Sequence, residues 1–299
     1  LDSAAMEKVI SECDDPQSRR AAEYQEFCER NSYWLDSYAA FRAIKDLLGE
    51  EVWQEWPKQY RSWSKELLER PELTQTIELH RKQQFAFDVI WSQTLAEARA
   101  KGIQIIGDMP MFVSEDSADV WAHPELFALD DTGHTELQAG APADAFSQDG
   151  QLWGNPTYTW QAHKDEGYRW RIERFRRSFY LYDYTRLDHF IGFTSYYAIE
   201  QGKPAAEGSF KFGPGLELFD VAYKQLGPLP FIAEDLGAVT PAVRALLSQT
   251  GFPGMSVIQF ADGDCRYSFT PAQESIVYSG THDTQTLMGF VEARFTGGQ

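Results

Sequence analysis

The sequence predicts an α/β fold in which a helical region precedes a parallel sheet of the β/α-barrel kind. Three observations carry this reading. Apolar residues keep helical spacing through the first hundred of 299 residues, five short apolar runs separated by helical stretches follow, and four of those runs end in a carboxylate. Strands that alternate with helices pair in parallel.

From the amino end, apolar residues recur at helical spacing from Tyr33 to Leu48 and stop at Gly49, and a second such stretch runs from Leu79 to Ala100. Between them Pro57 and Pro71 interrupt the pattern and predict short, separate helices rather than one rod. Trp53, Trp56 and Trp63 are read as core, the usual place of tryptophans at helical spacing. The apolar runs then follow as Gly102 to Asp108, Tyr180 to His189, Phe231 to Asp235, Met255 to Phe260 and Ser275 to Asp283. Thr240-Pro241 marks a helix start, with a capping hydroxyl followed by proline at the first helical position. The segment from Met109 to His163, rich in Gly, Pro and Asp, is too long for an ordinary connection and is expected to be a loop that shapes a site. Its aromatics are Phe146, Trp153, Tyr158 and Trp160; Tyr158 and Trp160 are read as packing a small core of its own. The expected division is a mainly helical subdomain over 1–100 and a (β/α) barrel portion over 101–299, with an insertion at about 109–179.

Lys+Arg 27 against Asp+Glu 45 leaves a net charge of −18, which removes the attraction that drives nucleic-acid binding and favours neutral partners. No apolar stretch approaches the roughly 20 residues that cross a bilayer, and the amino end lacks a basic-then-apolar signal pattern. A soluble, cytoplasmic protein is expected, with no membrane partner. Cys13, Cys28 and Cys265 are too few and too scattered for a disulfide framework or a zinc site and are read as reduced thiols. Leu1 stands where an initiator Met would, and the chain ends a few residues after a motif expected to precede a helix, so a fragment is expected.

The carboxylates at the strand ends are Asp108, Asp188, Glu234 with Asp235, and Asp283. A helix N-cap would account for Asp283 alone. Four such ends are another matter, because the carboxyl edge of a β/α barrel converges on one mouth, where active sites are built. Carboxylates gathered there without a metal-ligand set suit glycosyl chemistry: one attacks the anomeric carbon while a protonated partner gives its proton to the leaving oxygen. Six histidines, His189 and His282 among them, do not name a metal ion, and none is predicted. The absence of G-x-S-x-G disfavours a serine nucleophile, and that of a P-loop or G-x-G-x-x-G disfavours phosphate binding. Arg186 and Asp188, at i and i+2 of a strand, share a face. The cation is expected to lower the Asp188 pKa and keep it ionised, though a structural ion pair has the same spacing. Glu234 follows Phe231-Ile232-Ala233, a more apolar setting that would raise its pKa toward that of a general acid.

Six segments, GDMPMFVSEDSADVWAHPELF, GQLWGNPTYTW, YTRLDHFIGF, FIAEDLGAVTPAV, GFPGMSVIQF and YSGTHD, in that order, resemble the 4-α-glucanotransferases called amylomaltases or disproportionating enzymes, relatives of the α-amylase clan. The likeness runs from about Glu23 to the carboxyl end. It implies a TIM (β/α)₈ barrel, incomplete at both ends here, that retains configuration while passing an α-1,4-glucan segment to the 4-hydroxyl of glucose or another maltooligosaccharide. Asp188 matches the nucleophile, Glu234 the general acid/base, and Asp283 the third carboxylate, which holds sugar hydroxyls. Arg186 and His282 match the residues flanking the cleavage point, Trp153 an aromatic on the donor side, Asp235 a residue near the acceptor side, and Asp108 an Asp that α-amylase relatives also carry. The resemblance implies no cofactor, and maltooligosaccharides and other α-1,4-glucans as partners. This chain departs from the family pattern at Thr284-Gln285, where N-D is common, and at Pro271-Ala272-Gln273, where P-H-N is common. The family's early strand would precede Leu1 and its last would follow Gln299, so the polypeptide alone is expected to be unstable or inactive. Two alternatives share these residues: a retaining α-glucan hydrolase with better water access, and, for the fragment alone, an inactive glucan-binding module.

Overall fold

The computed structural model describes residues 3–143, 148–237, 239–260 and 274–295. Phe146, Cys265 and Pro271-Ala272-Gln273 lie outside them. In chain order the main elements are α1 (Ser3–Cys13), α2 (Arg19–Leu48), α3 (Pro71–Ala100), β1 (Ile106–Met109), α4 (Ala118–Ala122), β2 (Leu137–Ala141), β3 (Gln151–Pro156), α5 (Trp160–Asp165) and α6 (Arg169–Leu181). Then come β4 (Tyr184–Leu187), β5 (Ser195–Glu200), β6 (Ser209–Phe212), α7 (Leu216–Leu226), β7 (Phe231–Ala233), α8 (Pro241–Thr250), β8 (Gly254–Val257), β9 (Ser275–Tyr278) and α9 (Leu287–Phe295). They form two compact units, one of Leu1–Ile105, Phe112–Glu173 and Tyr197–Lys211, the other of Ile106–Met111, Arg174–Tyr196 and Phe212–Gln299.

In the first unit, Ser18 accepts the Arg20 N–H to open α2, and Gly49, at φ 76°, closes it in the left-handed conformation that glycine adopts without steric cost. As expected around Pro57 and Pro71, the chain there is not one rod: α2 and α3, each of 30 residues, are separate helices, and Pro71 starts α3, where a first-turn residue has no N–H bond to lose. The chain between them makes two 3₁₀ turns, Trp53–Glu55 and Lys65–Glu69. Tyr24, Phe27, Leu35 and Phe85 build the core shared by α1, α2 and α3. Trp56 is fully buried against Phe41 and Trp121, and Trp53 is buried as well.

The long segment after β1, read in sequence as a loop, carries α4, α5 and the strands β2 and β3; these join β5 and β6 from later in the chain in a sheet of order β3-β2-β5-β6, with β2 antiparallel to both β3 and β5. Its central strand β2, Leu-Gln-Ala-Gly-Ala, lacks the apolar alternation that announces a strand. Gly140 is required there, because a side chain would run into the Gln151 carbonyl of the neighbouring strand. Tyr158 is buried in this unit, as expected of a residue packing the segment's own core, and the Arg171 guanidinium lies 4.6 Å from its ring centre.

In the second unit the five apolar runs become five short parallel strands. β1, β4 and β7 pair side by side, β8 pairs with β9, and a bond from the Ala233 N–H to the Pro253 carbonyl, 2.8 Å, links the two sets. Phe231 and Ile232 face opposite ways, as neighbours in a strand must. Phe231 meets Phe175, Phe179 and Phe252 in a phenylalanine core that also takes in Phe190, Phe193 and Phe219, whereas Ile232 packs with Met255 and Val257. Thr240 caps α8 by accepting the Val243 N–H, with Pro241 at the first helical position, as read from the sequence.

Candidate active site

Strand register alone brings the first three charged groups together. Asp108 of β1 stands opposite Arg186 of β4, and Asp188 follows Arg186 by two residues. Arg186 Nη1 donates to both carboxylate oxygens of Asp108, at 2.8 and 2.9 Å, and lies 2.9 Å from Asp188 Oδ1. One cation therefore serves two carboxylates.

Glu234 is the first residue after β7 and only 9% exposed. Its Oε2 accepts the main-chain N–H of His189 at 2.8 Å and its Oε1 that of Leu236 at 3.2 Å. Burial pushes its pKa up to about 7; the Asp188 charge adds to the rise, and Arg186 and the two N–H donors oppose it. This is the direction expected from its apolar setting. Asp188 is a correction. Its pKa also moves up from the ordinary aspartate value, because burial outweighs the pull of Arg186 and the charges of Asp108 and Asp283 add to it. The two carboxyls thus differ in how they are held more than in the sign of their shifts: Asp188 by a cation, Glu234 by backbone donors.

Asp235 turns to the neighbouring strand. Its Oδ1 accepts the Met255 N–H at 2.8 Å, and its carboxylate lies so close over Gly254 that a β-carbon there would sit 2.6 Å from Oδ2. This bond ties the end of β7 to the start of β8.

His282 and Asp283 are exposed on a turn after β9, with His282 Nε2 3.3 Å from Asp283 Oδ2. Two threonines shape that turn: Thr284 Oγ1 accepts the Thr281 N–H at 3.0 Å and donates to the Thr281 carbonyl at 3.0 Å, and Thr281 Oγ1 accepts the Asp283 N–H at 3.3 Å. The N-cap account of Asp283 fails. Helix α9 begins at Leu287, and Thr286 Oγ1 accepts the Gly289 N–H at 3.2 Å, so the helix start is served without Asp283. Trp153 lies in β3 of the first unit, where its Nε1–H donates to Gln151 Oε1 at 2.9 Å.

Sequence reading missed the parts of the site made by main chain. The N–H groups of His189 and Leu236 carry no residue-type signal, and the role of Thr281 and Thr284 shows only once the turn is folded. Among the described residues, no group of three or more His, Cys, Asp or Glu side chains is arranged to hold a metal ion, and no described helix is long and apolar enough to cross a membrane.

Comparison with known proteins decides the family. The 4-alpha-glucanotransferase family profile matches residues 2–297. The chain belongs to this family. It is 42% identical over 283 residues to the 4-alpha-glucanotransferase of Streptococcus pneumoniae, an alignment covering 90% of this chain and 55% of that protein. Against the 4-alpha-glucanotransferase of Thermus thermophilus it is 42% identical over 284 residues, 92% of this chain and 56% of the relative. Among solved structures, the amylomaltase of Streptococcus agalactiae in complex with acarbose superposes with a TM-score of 0.86 at 38% identity, covering 97% of this chain and 60% of that one. The fold is therefore that of the amylomaltases, an α/β barrel fold, to which the second unit contributes five parallel strands. The chain spans about half the length of the curated 4-alpha-glucanotransferases it matches.

Proposed function

We propose that the protein acts as a retaining 4-α-glucanotransferase on α-1,4-glucans. The observation that carries this reading is the pair of carboxyls at adjacent strand ends, Asp188 against a guanidinium and Glu234 buried with its pKa raised to about 7, in a chain of the 4-alpha-glucanotransferase family. In the first half-reaction Asp188 attacks the anomeric carbon of the donor glucan, and the bond to the leaving oxygen breaks as Glu234 gives that oxygen its proton. A covalent glycosyl-enzyme and a shortened glucan result. In the second half-reaction Glu234, now anionic, takes the proton of an acceptor's 4-hydroxyl, whose oxygen displaces Asp188 and restores the original configuration.

In this reading Arg186 neutralises Asp188 and holds it against Asp108, while Asp283 and His282 bind sugar hydroxyls from the turn after β9. Trp153 offers an apolar face to the C–H side of a donor sugar. Asp235 serves the acceptor side through the strand junction it fixes. Asp108 supports Arg186 from the neighbouring strand. The acarbose bound by the Streptococcus agalactiae relative is in keeping with a glucan-like ligand. The net charge of −18 is no obstacle to a neutral glucan, and a cytoplasmic location fits an unpaired-thiol reading of the cysteines.

The test is incubation with maltotriose of the chain as it stands and of the same chain extended to the length of its relatives, followed by separation of products. Transfer gives glucose and a ladder of longer maltooligosaccharides. Glucose and maltose without a ladder would assign a hydrolase instead, and binding without turnover in both forms would reduce the reading to a glucan-binding module.

A further inference from the structure

We propose that His189 is a positioning residue for Glu234: its main-chain N–H, aimed by a left-handed backbone, sets which carboxyl oxygen carries the catalytic proton. The proposal rests on the functional reading above. Asp188 still follows the strand, its N–H on the Met109 carbonyl at 3.0 Å. At His189 the backbone turns to φ 49° and ψ 47°, a region that favours glycine and, among other residues, Asn, Asp and His. Through that step two successive N–H groups reach one residue across the strand boundary. The His189 N–H meets Glu234 Oε2 at 2.8 Å, and the Phe190 N–H meets the Glu234 carbonyl at 3.0 Å.

The turn is held from both sides. Gly192 returns an N–H to the His189 carbonyl at 2.9 Å, and its α-carbon lies so close that a methyl group there would fall on Met111 Sδ and within 2.6 Å of His189 Cδ2. Gly213 in turn lies against the Gly192 and Phe193 carbonyls, with no room for a side chain. Phe190 and Phe193 are buried in the phenylalanine core. A turn with so little slack delivers a fixed direction for one N–H.

That direction matters to the chemistry. A donor on a carboxyl oxygen favours the anion and resists protonation of that oxygen. The shorter bond falls on Oε2, so Oε1, facing the longer Leu236 bond, is the oxygen left to carry the proton. The charged groups acting on Glu234 are Arg186 and Asp188 at the end of β4. The His189 imidazole is pushed down to about 4 by burial and stays neutral wherever Glu234 titrates, so its effect runs through the main chain.

The first arm of the test needs no turnover. In the unaltered protein, NMR should show the His189 amide proton moving downfield with the same midpoint as the Glu234 carboxyl carbon; an amide that does not follow that titration overturns the proposal. His189→Val places a β-branched residue where left-handed backbone is strongly disfavoured, and Gly192→Ala displaces the turn while leaving His189 in place. In both, the Glu234 midpoint is expected to rise, and in the extended protein kcat on maltotriose to fall about tenfold or more with KM little changed. His189→Asn, which tolerates the left-handed region, is expected to restore both. A folded His189→Val protein with the original Glu234 midpoint would overturn the assignment. If the midpoint moves but no form transfers glucan, the functional reading fails and the positioning role stands; if transfer is intact and the titration is unmoved, the reverse holds.

Discussion

Asp188 and Glu234 differ by what surrounds each carboxyl, and two outcomes follow at this scale. Asp188→Asn keeps the size and hydrogen-bonding reach of the side chain but removes the nucleophilic charge. Glucan transfer should be abolished while maltooligosaccharide binding, read by calorimetry, stays nearly intact; unchanged turnover would remove Asp188 from the nucleophile role. Glu234 is protonated below about 7, so the pH–rate profile should have a basic limb near that value. The sign for stability follows from the same shift. With the folded pKa above the ordinary glutamate value of 4.5, the contribution of Glu234 is full below 4.5 and is lost as pH rises through about 7. Glu234→Gln should flatten the pH dependence of Tm across that window, and an unaltered slope would place the titration elsewhere. These residues were legible in the sequence because a polar residue closing an apolar run marks a strand end. The sign of the Asp188 shift was not, since Arg186 is visible in the sequence two residues away and the burial that outweighs it is not.

Elements carry the next level of explanation, in the short turns and caps that aim these side chains. Thr284 closes the turn bearing His282 and Asp283 through two bonds of its hydroxyl to Thr281. A neutral hydrogen bond contributes about 1 kcal/mol net. Thr284→Val is therefore expected to weaken transfer about fivefold, with Thr284→Ser restoring it, in a maltotriose assay. The cap of α8 offers a contrast. Thr240→Ala removes the acceptor for the Val243 N–H and should lower stability by about 1 kcal/mol, measured by denaturant unfolding, without touching the chemistry. The cap of α8 and the five strands could be read ahead of the structure, because hydroxyl-Pro pairs and apolar runs act locally. The antiparallel sheet of the first unit could not, because β2 has no apolar alternation and depends on Gly140 admitting a neighbouring backbone.

For the whole molecule, charge is the property that composition alone supplies. A net charge of −18 opposes compaction, and salt screens that repulsion over about 10 Å at 0.1 M and 3 Å at 1 M. Tm should therefore rise with sodium chloride over that range while the Kd for a neutral maltooligosaccharide stays level. A Kd that weakens steeply with salt would mean the ligand is charged, against the glucan reading.

By itself the sequence determined the α/β class, the five parallel strands, the family and the carboxylates at the strand ends, because each is written in local patterns of polarity and in motifs of contiguous residues. Only the tertiary structure decided how those carboxylates are held. Asp108 reaches Arg186 through strand register, Asp235 is drawn to the β8 backbone, and Glu234 is gripped by the N–H of His189, 45 positions before it in the chain. Main-chain donors are the same at every residue, so their use at one site is settled by where the chain turns in space.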